Sequence, residues 1–242
     1  MNMKRVLFIH GAYHGGWCWD EVIAYLPKEQ FDCHAIDLPG QAKNKVTNKG
    51  EIRTSDYVDY ILNYIKSNNL DELCIMSHSL GGITLSKITE QIPSKIKSVF
   101  FLTSVILNGK SFLQMLPTEV QTKYKQIASS RSDNSIPPNV ERIKQILFNQ
   151  SENSPKLDNF LSKLEPQPIG PYEDVINLDS FQQTNVPVTY IKCKYDISLP
   201  KETFDEIISK LPANSKILEI ESDHEAMFSN PETVANVLLR QT

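Results

Sequence analysis

Six short apolar runs are spaced along the chain, at residues 5–10, 31–36, 73–76, 96–102, 188–193 and 216–220. Runs of this length, bounded by Gly, Pro or polar turns, read as buried strands. Between them, apolar positions recur at helical spacing. One such stripe covers residues 17–26 and stops before Pro27; another covers 83–92 and stops before Pro93. Tyr57, Ile61, Tyr64 and Ile65 form a third, with Thr54 as its expected N-cap. Residues 202–211 and 231–239 complete the set, Pro231 suiting the first turn of the last helix. Alternating strands and helices predict an α/β fold: about six mainly parallel strands with helices on both faces. The alternation lapses between residues 104 and 184. Two helices are expected there, one carrying Met115, Val120 and Ile127 and one over residues 140–148, separated by a polar loop at 129–139. The expected organisation is a core of residues 1–103 and 185–242, with residues 104–184 inserted after the fourth strand.

Composition narrows the class. Of 242 residues, 40% are hydrophobic and 22% charged, with a net charge of −4. That excludes a disordered chain. The mildly acidic balance argues against a nucleic-acid partner, which needs a clustered basic face. No run approaches the ~18 apolar residues of a membrane span. The first strand holds too few apolar residues for a signal-peptide core of about 7–15, so a cytoplasmic location is expected. Cys18, Cys33, Cys74 and Cys193 are scattered without metal-ligand spacing, which reads as reduced thiols and no metal site. Glycine is scarce, at nine residues, yet Gly11, Gly15, Gly16, Gly81 and Gly82 fall in two short stretches together with His10, His14 and His78. Glycine collects where a backbone turns sharply or approaches a ligand, so chemistry is expected in residues 10–17 and 77–82.

The second stretch is a strand, then Ser77-His78-Ser79-Leu80-Gly81, then a helix. This is the pattern of a nucleophile elbow, in which the residues two before and two after the serine must be small. Ser77 stands where glycine is usual. A serine hydroxyl needs a base, and His224 is the sole histidine after Ser79. A carboxylate must then orient the imidazole. Asp196, directly after the fifth strand, fits; Asp179 lies in the insertion, Asp205 inside a helix, and Asp223 is too near in sequence to orient His224. Ser79, Asp196 and His224 are therefore the candidate catalytic residues, in the chain order of α/β-hydrolases. In that fold the loop after the first strand and the residue after the nucleophile supply backbone N–H groups to an oxyanion hole, which assigns Ala12 and Leu80. Gly11, Tyr13 and His78 are candidate substrate-pocket residues. His14 and Trp17 read more as packing than as pocket. The loop lacks the spacing of a phosphate-binding turn.

The segment His10-Gly11-Ala12-Tyr13-His14-Gly15-Gly16-Trp17-Cys18-Trp19 resembles the signature of the methylesterase and hydroxynitrile lyase branch of the α/β-hydrolases. Asp37-Leu38-Pro39-Gly40, the Ser79 elbow, the Asp196 segment and Asp223-His224-Glu225-Ala226-Met227 fall in matching order. The resemblance implies that residues 104–184 form a helical cap over the site. It implies a small carboxylic ester as substrate, an acyl-enzyme mechanism, no cofactor and a homodimer as partner. A cyanohydrin lyase on the same triad and a non-catalytic ligand receptor are the rival readings. Lyases of the branch carry Thr after the first-strand His and Lys after the catalytic His; here those positions hold Gly11 and Glu225. A Glu225 carboxylate facing the imidazole would favour its cation and move the rise of activity to higher pH. It would also oppose a departing anion, by roughly 4 kcal/mol at ~4 Å and an effective ε of about 20.

Overall fold

The central strands are buried on both faces, and their alternation divides the interior in two. The computed structural model describes residues 3–241. Its first strand, β1 (Lys4–Ile9), sends Leu7 and Ile9 into one apolar cluster and Val6 and Phe8 into the other, all four fully buried. Then follow β2 (Phe31–Ile36), β3 (Leu73–His78) and β4 (Ile96–Leu102). Two-residue strands β5 (Ser135–Ile136) and β6 (Gln167–Pro168) pair with each other, and β7 (Val188–Cys193) and β8 (Lys216–Ile220) complete the main sheet. Its order is β2-β1-β3-β4-β7-β8, every neighbour parallel. Parallel strands need helical crossovers that cover both faces. The helices α2 (Thr54–Ser67), α3 (Gly81–Gln91) and α8 (Lys201–Ser209) contribute Ile61, Ile88 and Ile207 to the Leu7 side. On the Phe8 side, α1 (Asp20–Ala24) contributes Val22, α9 (Ala226–Ser229) Met227 and α10 (Pro231–Gln241) Leu238.

Several sequence expectations shift at element ends. β3 runs two residues past its apolar stretch, because Ser77 and His78 continue the ladder against Phe101 and Leu102. The helix expected over 17–26 is a 3-10 turn (Gly16–Trp19) followed by the short α1. Gly16 holds that tight turn: its N–H donates to Asp37 Oδ1 at 2.7 Å, and a Cβ there would lie 2.7 Å from the Ala35 carbonyl oxygen. Thr54 begins α2 and does not cap it. The Asp56 carboxylate accepts the Arg53 N–H at 2.7 Å and Asp174 accepts the Thr54 N–H at 2.6 Å.

Residues 104–184 hold α4 (Thr118–Ser129), α5 (Val140–Leu147), α6 (Leu157–Leu161) and α7 (Gly170–Glu173). Met115 lies in a 3-10 turn before α4. The polar stretch expected to be a loop contains β5, whose Ser135 and Ile136 are buried against β6. This segment shares both interior clusters with the sheet: Ile136 and Tyr172 join the Leu7 side, Phe148 and Phe160 the Phe8 side. All four cysteines are free thiols; Cys18, Cys74 and Cys193 are buried and Cys33 is half-buried. No described helix is long and apolar enough to cross a membrane.

Candidate active site

Parallel strands deliver their following loops to one edge of the sheet. The chain turns in opposite directions on either side of β1 and β3, and the crevice above such a switch point is where α/β sheets bind ligands. Ser79 follows β3 there with a left-handed φ of 49°. Its N–H is held by the Leu102 carbonyl at 3.2 Å, and its own carbonyl accepts from Gly82 at 3.1 Å and Val105 at 2.8 Å. Small residues are obligatory around it. A Cβ on Gly81 would lie 2.7 Å from the His10 carbonyl oxygen, and one on Gly82 2.6 Å from both Ser104 Cβ and the Val105 carbonyl oxygen. Ser77 is tolerated in place of glycine because its buried hydroxyl meets Ser104 Oγ at 3.0 Å. Ser79 itself is half-buried, above the start of α3.

Asp196 and His224 arrive from the ends of β7 and β8. His224 Nδ1 donates to Asp196 Oδ2 at 2.7 Å, which fixes the tautomer and leaves Nε2 as the basic nitrogen. Thr103 Oγ1 donates to the same carboxylate oxygen, and the Ser198 N–H donates to Oδ1 at 2.8 Å. Burial by itself pushes the Asp196 carboxyl up, but the His224 charge and these bonds outweigh it and hold the group below its ordinary value. Burial pushes His224 down; the Asp196 charge and hydrogen bond reverse that and raise it. Asp179 and Asp205 are exposed. Asp223 is buried but turned toward the insertion, accepting Ser151 Oγ at 2.7 Å and Ser229 Oγ at 2.7 Å.

The loop after β1 meets the elbow directly. A Cβ on Gly11 would lie 2.9 Å from Ser79 Cβ and 2.9 Å from His78 Nδ1. Ala12 and Leu80 flank this contact, and among the described residues neither backbone N–H donates to a protein acceptor. Tyr13, at φ 69°, donates its N–H to Gln167 Oε1 at 3.2 Å and accepts the Glu165 N–H at 2.9 Å, so β6 and the residues before it pin the loop. Its hydroxyl meets those of Tyr124 and Tyr172. His78 is buried against His224, its Nε2 donating to the His224 carbonyl at 3.1 Å. His10 is a strut: Nδ1 donates to the Gly11 carbonyl at 2.8 Å and Nε2 accepts the Leu38 N–H at 3.1 Å. Burial lowers it to about 4, so it stays neutral.

Residues 4–128 match the α/β hydrolase fold family. The chain belongs to this family. Among its curated relatives are putative methylesterase 11, chloroplastic, of Arabidopsis thaliana, 28% identical over 99% of this chain and 64% of the relative, and methylesterase 7 of the same plant, 26% identical over 98% and 96%. The chain thus spans under two thirds of the first relative and nearly all of the second. A solved extracellular α/β-hydrolase from a Paenibacillus species, described as sharing structural and functional homology with tobacco salicylic acid binding protein 2, superposes with a TM-score of 0.88. It is 20% identical and covered over 98% of both chains. The methylesterase branch read from residues 10–19 is borne out by these relatives.

The candidate site also contains residues that the sequence did not single out. Thr103 and Ser198 brace Asp196. Thr103 directly follows β4 on the same sheet edge, and Ser198 lies two residues after an aspartate, the spacing of an Asx turn. Glu225, singled out as a group that would favour the His224 cation if it faced the ring, does lie beside that ring and contributes to raising it. The Glu225 side chain is wholly buried, and neither oxygen has a hydrogen-bond partner. Burial raises it to about 8, so it is mostly neutral at pH 7. In its neutral form Glu225 exerts no like-charge penalty on a departing anion. His14, read as packing, is buried with Nε2 3.5 Å from Glu225 Oε2. Trp17 packs its ring against His14 and Phe160. Among the described residues, His78, His224 and Glu225 form the one His/Cys/Asp/Glu group compact enough for a metal, with one ligand atom from each within 4.8 Å of the others.

Proposed function

We propose that the chain hydrolyses a small carboxylic ester through an acyl-enzyme formed on Ser79. The observation that carries this is the 2.7 Å bond from His224 Nδ1 to Asp196, made at the sheet edge from which the Ser79 elbow rises. In this reading His224 Nε2 takes the Ser79 proton as the hydroxyl oxygen attacks the ester carbonyl, and Asp196 stabilises the imidazolium. The Ala12 and Leu80 N–H groups bind the oxyanion, beside the N-terminal end of α3, which favours negative charge. His224 then returns the proton to the leaving alcohol, and water attacks the acyl-enzyme by the same route. Gly11 brings the loop backbone against Ser79, and Tyr13 lines the pocket on the side of residues 104–184, which act as its cap. The chemistry needs no cofactor. The names of the relatives, methylesterases, support a methyl or similarly small alcohol part. A cyanohydrin lyase is disfavoured because Gly11 offers no hydroxyl and Glu225 no cation.

Ser79→Ala tests the reading. The variant should keep its melting temperature and lose p-nitrophenyl acetate hydrolysis by several powers of ten, and a phosphonate probe should label Ser79 in the parent alone. Labelling at Ser77, or cyanide release from mandelonitrile that disappears in the variant, would overturn it.

A further inference from the structure

Beside the triad lies a group of buried side chains that are all acceptors. His14 spends its Nδ1–H on the Ala12 carbonyl at 2.7 Å, so its Nε2 is a bare lone pair. His78 spends its Nε2–H on the His224 carbonyl, so its Nδ1 is bare as well. Both nitrogens and both Glu225 oxygens are buried without a hydrogen-bond partner. Burial lowers His14 to about 3 and drives His78 well below its ordinary value, so neither ring takes up a proton near neutrality. Buried acceptors with no donor among them are costly, and an ionised carboxylate in their midst costs most. A proton on Glu225 resolves the conflict, because it turns one acceptor into a donor 3.5 Å from His14 Nε2.

We propose that Glu225 works as the neutral carboxylic acid and is a positioning residue: its proton is directed to His14 Nε2, and the His14 ring in turn fixes the Ala12 peptide beside Ser79. The role of the Ala12 N–H rests on the ester-hydrolase reading; the protonation of Glu225 does not. The order of the relay is set by tautomers. The Glu225 O–H meets Nε2, which leaves the opposite Nδ1–H for the Ala12 carbonyl. The loop is held on its other side by Gln167 and Glu165, and His10 fixes it at Gly11, so His14 is the side chain that ties the Ala12 carbonyl to the core. The groups facing Glu225 are His14 from the loop after β1, His78 from β3, and Cys18 and Cys193, whose thiols burial keeps protonated. Asp196, Asp223 and His224 complete the surroundings. Burial, with the two aspartates, raises Glu225 to about 8, above which the relay fails and activity should fall.

Infrared spectroscopy, Glu225→Gln and Glu225→Leu test this together. At pH 7 the parent should show a protonated-carboxyl band that E225Q removes. The amide of E225Q still donates to His14 Nε2 and does not ionise. It should keep kcat within a few-fold and lose the alkaline change near pH 8. E225L offers no donor and should lose about tenfold in kcat with KM little changed. Absence of the band, or E225L behaving as E225Q does, would overturn the proposal. If E225L does not fold, the band in the parent and in E225Q decides. EDTA should leave the parent's melting temperature unchanged; a fall would mean that a cation, not a proton, satisfies these acceptors. Neither the band nor the melting temperature needs a substrate, so both stand apart from the Ser79→Ala outcome.

Discussion

Asp196 shows how single residues set the reactivity of this site. Its two oxygens accept from His224, Thr103 and Ser198, so it is pinned from three directions while its own side chain is almost fully buried. The consequence falls on His224. Burial alone would make that ring a weak base, and the neighbouring carboxylate lifts it above its ordinary value. In the proposed reaction the base must be neutral to accept the Ser79 proton, so activity should rise with pH through a midpoint above about 6.5. Asp196→Asn removes the stabilising charge and keeps the shape. Its acid limb should move to lower pH, and kcat should fall by about four powers of ten, as in other triads that lose this carboxylate. A pH profile of kcat/KM checks both. An acid limb that stays in place would mean that the titrating group is not His224.

Elements position these residues through contacts that allow almost no extra atoms. The β3–α3 turn is the tightest case. Gly82→Ala would force its new methyl against Ser104 Cβ and the Val105 carbonyl oxygen, each 2.6 Å away. The helix start and the β4 end would have to separate, which should cost about 1–3 kcal/mol in urea unfolding; a loss below the error of the fit would mean that the turn is softer than its contacts suggest. Such turns were readable in the sequence because they draw on scarce glycines, and the four strands that match to the residue were readable because apolar runs end in turn residues. Ser79, Asp196 and His224 were legible for a related reason: each follows a strand, and a parallel sheet presents all such positions at one edge. What stayed hidden depends on distance along the chain. β5 and β6 are two residues each and exist only through their pairing across some thirty residues. The burial of Glu225 depends on Leu147, whose carbonyl accepts the Glu225 N–H at 3.3 Å, and on His14. Composition at position 225 says carboxylate; only packing says carboxylic acid.

Over the whole molecule these buried groups act on stability in opposite directions. His10 and His14 stay neutral when folded, down to about 4 and about 3. An unfolded chain protonates them near 6.5, so stability falls as pH drops below that value. Glu225 does the reverse. The folded protein keeps its proton up to about pH 8, while the unfolded chain releases it near the ordinary 4.5. Between those values the unfolded state binds fewer protons, and stability falls as pH rises, by at most about 1.4 kcal/mol per pH unit. The full loss is roughly 5 kcal/mol at the alkaline end, a large share of what a single domain holds. His224, raised by Asp196, adds to the alkaline decline as pH passes through its folded value. Stability should therefore peak near pH 6.5, where the histidine losses have ended and the Glu225 loss is incomplete. Glu225→Gln separates the terms, since an amide does not titrate and leaves the histidines in place. Its melting temperature relative to the parent should climb steadily between about pH 5 and pH 8 and level off above. Two parallel melting-temperature curves would show that Glu225 ionises in the folded protein as it does in water, and that the burial beside His14 is not what governs its charge.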